Sequence, residues 1–556
     1  MAMAALQTPA LQKALALHGQ GKFAQAERAY LEILRQSPRE DRALHLLGVL
    51  VLQMGQQPRG IELIRQAIHL NPRRPLAHRD LGNALLQAGQ SYEALASYDR
   101  ALALKPDQAD VLDNRGTALR MLNRLKEALE SHDRALSLAP NSAMTHVNRG
   151  SALAVLNRFS EALESFDRAL ALDTRSPLAH SNRGGALHRL EKFQEALASH
   201  DRAVELAPDL APAHVSRGQT LAELGEHDQA LTAYDRALTL DPQSLEAQFG
   251  RATSLLITGR FHEGWQAFEA RRGRVGPDAF HPAGRPQWTG KEQIAGKTLF
   301  IEAEQGLGDM IQFCRYAKRA ADLGAHVLLT ARQSQLRLLH GLDSRIEIRP
   351  ENDRPQQFDY HIPLMSLPMA FGAGEGDFAA ETPYLAAEPD RVARWRSRIG
   401  DHGFKIGICW QGGPGNKARA FPLALFAGIA ARPRVRLISL QKGAGSEQLD
   451  PCPFAVERLA DGYDSGPDSF LDAAAVMQTV DLVISCDTAL AHLAGALARP
   501  VWVALKCAPD WRYLLNRDDS VWYPSMRLIR QKRPGDWQSA FAGLETGIDA
   551  ILASRL

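Results

Sequence analysis

One tetrapeptide recurs at a fixed interval of 34 residues, and this period restricts the first half of the chain more than any other feature. Asp-Arg-Ala-Leu/Val opens at Asp99, Asp133, Asp167, Asp201 and Asp235. The residue before it is aromatic or histidine in each copy: Tyr98, His132, Phe166, His200 and Tyr234. The same step reaches Ile64 and Tyr30 backwards and Phe268 forwards, which makes eight units. Gly48, Gly82, Gly116, Gly150, Gly184 and Gly218 keep this step, as do Pro38, Pro72, Pro106, Pro140, Pro208 and Pro242, with Thr174 the one lapse. A unit of this length with Ala and Leu at i, i+3 and i+4 predicts two helices sharing an apolar stripe. The glycine lets the two helices approach closely, and the proline stops the second. One such hairpin cannot bury its apolar face, so the units must stack.

Period and signature identify tetratricopeptide (TPR) repeats over 1–275, forming a superhelix with a concave groove that grips another protein. Asparagine stands two residues before three of the glycines, at Asn114, Asn148 and Asn182, with Asp80 and Ser216 at the flanking positions. The row resembles the asparagine ladder in the TPR domain of the eukaryotic O-GlcNAc transferases, which holds an extended peptide by its main chain. An amide donates and accepts together, so it matches a backbone of any sequence. Solvation of the first helix is the other role open to it, and on either view the positions are expected on the open face. His78, His146, His180 and His214 also recur on the period, as packing or surface positions.

Lys+Arg 65 against Asp+Glu 63 gives a net charge of +2, which offers no basic excess for nucleic acid or an anionic membrane. The five cysteines are scattered without a CxxC pair, so neither a disulfide framework nor a zinc site is expected. No basic segment followed by an apolar one opens the sequence, and the apolar runs are strand-length; a cytoplasmic location without a membrane span is the expectation.

Arg271–Pro286 is rich in Gly, Pro and Arg, and 276–295 reads as a linker. Short apolar strands then alternate with helices, the signature of parallel α/β structure. The expected strands are Thr298–Ala303, His326–Thr330, Arg345–Ile348 and Tyr360–Ile362, then Phe404–Trp410, Val435–Leu440, Phe454–Glu457, Leu482–Ser485 and Val501–Leu505. The fold class is therefore α plus α/β: an all-α TPR superhelix, then two Rossmann-like halves (296–400 and 401–556) of GT-B type with a cleft between them.

Four segments carry chemistry. Glu304–Asp309 (EQGLGD) places Gly306 and Gly308 at a strand-to-helix turn, with Asp309 as candidate catalytic base or simple helix-start charge. After the first strand of the second half come Trp410, Gln411 and a glycine-rich loop bearing Lys417 and Arg419, suited to neutralising phosphate. Asp487, Thr488 and His492 open a helix after Leu482–Ser485, where an Asp/Thr cap and a core histidine are the plainer roles. Asp510 and Trp511 lie in a loop after the last expected strand.

The α/β half resembles the bacterial heptosyltransferase-like glycosyltransferases, family 9, in the branch fused behind TPR repeats. The resemblance covers Gly296–Trp537 and rests on EQGLGD, DTALAHLAGALARPVWV and APDWRYLL…WYPSMRLIRQ. It implies metal-independent sugar transfer from a nucleotide-sugar, with no further cofactor and with Asp487, Thr488 and His492 near the donor. The branch is associated with modification of bacterial surface proteins, flagellin among them, which implies a protein acceptor recruited by the groove. GNKARAFP (residues 415–422) departs from the family's usual Asp-Arg pair before a Ser/Phe-Pro stretch, and the first half is short. Two alternatives therefore stand beside the enzyme reading: an adaptor with an inactive GT-B half, and transfer to envelope carbohydrate. The nucleotide and the sugar are not legible in the sequence.

Overall fold

The computed structural model describes residues 8–274, 284–353, 355–379, 382–413, 419–459, 462–466 and 469–555. It divides into two compact units, Met1–Ser216 and Arg217–Leu556. The division falls inside helix Ala211–Glu223, well before the boundary at 275 expected from the end of the repeats.

Sixteen helices from Pro9–Gly19 to Phe261–Phe268 form the eight hairpins that the period predicts. The glycine and the aromatic or His residue sixteen positions later meet face to face. A Cβ on Gly116 would stand 2.5 Å from the His132 ring, and one on Gly150 2.6 Å from Phe166. Wherever a repeat proline is present the second helix ends two residues before it, and Pro9–Gly19 apart, the first helices restart after a short turn. Where Thr174 replaces the proline the helix still stops at Leu172, so the proline reinforces a stop that the turn already makes. The recurring histidines belong to that turn: Nε2 of His78, His146 and His214 lies 2.9–3.0 Å from the carbonyl of Pro72, Pro140 and Pro208.

Two features of the period escape the sequence reading. Between the helices of each hairpin one residue takes positive φ on the 34-residue step, including Gly89, Asn123, Asn157 and Glu191. The arginine after the ladder asparagine also reaches back sixteen residues to the tetrapeptide aspartate: Arg115–Asp99 at 2.7 Å, Arg149–Asp133 and Arg183–Asp167 at 2.6 Å. Arg149 and Arg183 further donate to Ser165 and Ser199 on their own second helices, at 2.8 and 2.7 Å. The aspartate is thus the joint between neighbouring hairpins.

In unit 2 two parallel sheets follow the last hairpins. The first contains β1 (Thr298–Glu302), β2 (His326–Ala331), β3 (Ile346–Pro350) and β4 (Tyr360–Pro363), in the order β3-β2-β1-β4. The second contains β5 (Phe404–Cys409), β6 (Val435–Ser439), β7 (Leu482–Cys486), β8 (Val501–Leu505) and β9 (Met526–Arg530), in the order β6-β5-β7-β8-β9. Phe454–Glu457 is not a strand; Glu457 makes only an isolated bridge to Ile438. The last strand is β9, which the sequence reading missed because MRLIR interrupts its apolar residues with arginine at an edge. The Asp510 loop accordingly lies between β8 and β9, not beyond the sheet.

The stretch expected as a linker is packed where it is described. Trp288 and Ile294 are buried, and Gln287 bridges to His361 beside β4. Leu256, Trp265 and Phe268 of the eighth hairpin share one apolar core with residues of both sheets. Arg271, just past that hairpin, is almost fully buried and holds Glu304 at 2.7 Å, Glu269 at 2.6 Å and Ser366 at 2.8 Å. A buried guanidinium needs this full set of partners, since an unpaired one would be very costly.

Candidate functional site

Parallel sheets bind ligands beyond the carboxyl ends of their strands, where the strand order reverses. In the first sheet that place is the end of β1 beside β4; in the second it is the end of β5 beside β7. Both ends open on one cleft of about 910 Å³. Gln305–Asp309 follow β1, Gln411–Gly413 and Arg419 follow β5, Asp487–Leu490 and His492 follow β7, and Asp510–Arg512 follow β8; all of them line it. The sequence thus placed its chemistry on four loops that the fold brings to one place. The two sheet halves approach closely there: a Cβ on Gly308 would be 3.1 Å from the His492 ring and 3.4 Å from Ala489.

The centre is a set of carboxylates and arginines. Arg419 lies 2.6 Å from Asp487 and 3.1 Å from Asp510. Arg512 lies 2.8 Å from Asp510, pairs with Asp309, and donates through Nε to Gln312 at 2.8 Å. Tyr513 donates to Asp487 at 2.7 Å. Burial pushes the Asp487 carboxyl up against the opposing pull of Arg419. Burial also works on Asp510, but Arg512 and Arg419 outweigh it and hold that carboxyl below the usual range. Burial, with Arg512 adding, drives the His492 imidazole down to about 3, so it is neutral at physiological pH. Its Nδ1 lies 3.2 Å from the Tyr523 hydroxyl.

Several expected site residues are held by partners within the protein. Trp410 is fully buried, donates from Nε1 to Gly445 O at 3.1 Å and does not line the cleft. Its side chain belongs to the core on the far face of the second sheet. Asp309 is not a free carboxylate, because one oxygen accepts from Gly306 N at 2.7 Å while the other faces Arg512. Arg419 is bound to two aspartates and is not an uncommitted phosphate cation. Lys417 lies outside the described residues. Thr488 starts its helix without a side-chain cap; its hydroxyl is 3.0 Å from Ser485 Oγ. Trp511 touches the cleft but is mostly buried, edge-on to Trp265 at 5.3 Å and close to Phe268 at 5.6 Å.

Residues missed in the sequence also line the cleft, among them Gln441, Lys442, Asp464 and Arg512, with Phe249 and Thr253 from the eighth hairpin. Arg512 stood inside a quoted motif, so its signal was present; Phe249 and Thr253 carried none, because nothing in a repeat marks which unit meets another domain. Burial raises the Asp464 carboxyl to about 6, although it accepts from Asp472 N and Ala473 N at 2.9 and 3.0 Å.

In the repeats the three ladder asparagines are half-buried and not wholly open. Asn114 donates to Asn83 at 2.9 Å, Asn148 to Asp113 at 2.9 Å and Asn182 to Ser151 at 3.2 Å, each on the preceding hairpin. Asp113 also meets the buried His132 at 2.8 Å. Their amide N–H groups therefore help to join hairpins, contrary to the expectation of a purely exposed row.

Among the described residues no helix is long and apolar enough to cross a membrane, and no group of His, Cys, Asp and Glu is placed to hold a metal ion.

Sequence profiles of tetratricopeptide repeats match residues 11–75, 45–109, 79–143, 175–243 and 215–277. The profile of glycosyltransferase family 9 (heptosyltransferase) matches 456–505, a span that includes β7, the Asp487–His492 segment and β8. Protein FlbA of Caulobacter vibrioides is 28% identical over 330 residues, covering 54% of this chain and 54% of that protein. The chain thus spans about half the length of the curated relative it matches. Similar solved structures include YrrB, a TPR protein with an unusual peptide-binding site, at 23% identity over 33% of this chain and 95% of that one, TM-score 0.29. Another is pilF of Pseudomonas aeruginosa, at 23% identity over 39% and 99%, TM-score 0.34. The chain combines TPR repeats with an α/β region of which residues 456–505 match the glycosyltransferase family 9 profile.

Proposed function

We propose that this protein is a glycosyltransferase of GT-B type, which moves a sugar from a nucleotide-sugar to a protein acceptor recruited by the repeats. The observation carrying this reading is the convergence of four loop segments, from two parallel sheets, on one cleft with backbone amides, arginines and carboxylates. Such a cleft can bind a nucleotide diphosphate or monophosphate by charge and amide contacts, and can hold a carboxylate near an acceptor hydroxyl. Asp309 remains the candidate base. To accept a proton it must part from Arg512, whose guanidinium is then available to the leaving phosphate. The reaction is taken as metal-independent and inverting, in the cytoplasm, with a bacterial surface protein such as flagellin as acceptor.

The test is release of nucleotide, and transfer of sugar, by the purified full chain with UDP-, ADP-, GDP- and CMP-sugars in turn. Asp487→Ala should abolish turnover while circular dichroism stays unchanged, and EDTA should leave the rate as it was. No release with any donor sinks the reading. It would favour the adaptor instead, for which the pairing of both Arg419 and Arg512 with aspartates is the specific support.

If the asparagines also grip the acceptor, Asn114→Ala, Asn148→Ala and Asn182→Ala together weaken acceptor binding. They should also destabilise the repeats by roughly 0.5–1.5 kcal/mol per lost bond. Titration of the triple variant against the acceptor, beside urea unfolding, separates these effects: an unchanged dissociation constant with a lowered urea midpoint leaves the asparagines as joints alone.

A further inference from the structure

The cleft has two chemically different sides. From the α/β loops come Arg332, Arg419, Lys442 and Arg512, together with the four aspartates Asp309, Asp464, Asp487 and Asp510. From the eighth hairpin come Phe249, Thr253 and Phe268, with no charge among them. The Thr253 hydroxyl already donates to Phe249 O and Gly250 O, at 3.2 and 3.0 Å, so this side offers aromatic surface and no spare donor. Phe249 is held in place by Phe268, 5.7 Å away, and Phe268 by Trp511 at 5.6 Å. Trp511 opens the turn from which Arg512 and Tyr513 reach the aspartates.

Resting on the glycosyltransferase reading above, we propose that the eighth repeat hairpin is a wall of the acceptor site. Phe249 on that wall selects the acceptor by taking the apolar side chain of a polypeptide beside the hydroxyl that receives the sugar. Phosphates belong on the cationic side. A glycan acceptor would need donors and acceptors for its many hydroxyls, and in its part of the wall the hairpin supplies only the Thr253 oxygen, as an acceptor. Aromatic faces instead reward the removal of apolar side chains from water.

The experiment uses the full chain and two synthetic peptide pools, each with a central Ser or Thr, one flanked by Leu, Val and Phe and the other by Gly. Chitotriose serves as the glycan probe, and UDP-, ADP-, GDP- and CMP-sugars serve as donors. The wild type should prefer the apolar pool by about tenfold in kcat/KM, the scale on which a hydrophobic pocket discriminates. Phe249→Ala should erase that preference chiefly by raising the peptide KM, while the KM for the nucleotide-sugar moves by less than about twofold. Phe249→Tyr, which keeps the ring, should retain the preference and guards against loss through misfolding, which thermal unfolding of both variants reports. Transfer without flank preference, a preference that survives in Phe249→Ala, or faster transfer to chitotriose than to either pool overturns this inference alone. Absence of nucleotide release and transfer with every donor overturns the glycosyltransferase reading, and this inference with it.

Discussion

The repeats and the cleft use the same pair of side chains at the same distance, in different surroundings. Arg149–Asp133 in the repeats and Arg419–Asp487 in the cleft both close to 2.6 Å. In the repeats the aspartate side chain is 55% exposed, and in the cleft it is 7% exposed. Water screens the first pair and repays either partner for losing the other, so the pair contributes little beyond aligning neighbouring hairpins. The second sits with Asp309, Asp510 and Arg512 where water is scarce. Each charge there depends on its partners, and the whole set costs free energy to assemble. Selection for stability alone would favour apolar residues at such a place, so a network of this kind marks chemistry more than it marks folding strength.

Removing one member from each setting measures the contrast. Arg512→Met leaves Asp309 and Asp510 partly uncompensated and should cost about 3–5 kcal/mol in urea unfolding, with loss of the turnover proposed above. A loss no greater than that of a surface pair would mean that the network is solvated in solution and that the comparison fails.

His492 extends the contrast to pH. Its imidazole titrates near 3 in the folded chain and near 6.5 when unfolded, so the unfolded state binds the extra proton between those values. Stability therefore falls as pH drops from about 6.5 towards 3, by an amount of order a few kcal/mol. His492→Gln should flatten that acid slope in pH-dependent unfolding; an unchanged slope would place His492 in contact with water.

The repeats predict gains and small losses. Glu191 holds positive φ where other units have Gly or Asn, a conformation that disfavours a side chain with a Cβ. Glu191→Gly should raise stability by about 0.5–1 kcal/mol, net of the entropy that glycine loses. A fall in melting temperature would show that its side chain contributes more than the backbone costs. The smallest effect belongs to Arg149→Ala, about 0.2–1 kcal/mol and weaker still at high salt. A loss comparable to that of Arg512→Met would show that the surface pairs act as a cooperative ladder.

The sequence by itself determined every element that repeats or follows a local rule. The 34-residue period specified eight hairpins, because each unit makes the same contacts with its neighbours and local spacing is enough to encode them. Apolar runs located eight of the nine strands found among the described residues, and the glycine turns located the loops that reach the cleft. What only the tertiary structure decided was partnership across long separations. Arg512 meets Asp309 across 203 residues, Trp265 joins the aromatic core around Trp511, and the ladder asparagines spend their N–H groups on the preceding hairpin. It also decided burial, which turned Trp410 from a cleft residue into core and pushed the His492 imidazole down to about 3. The physical reason is common to all of these: period and propensity are properties of a segment, whereas charge state and exposure are properties of everything packed around it.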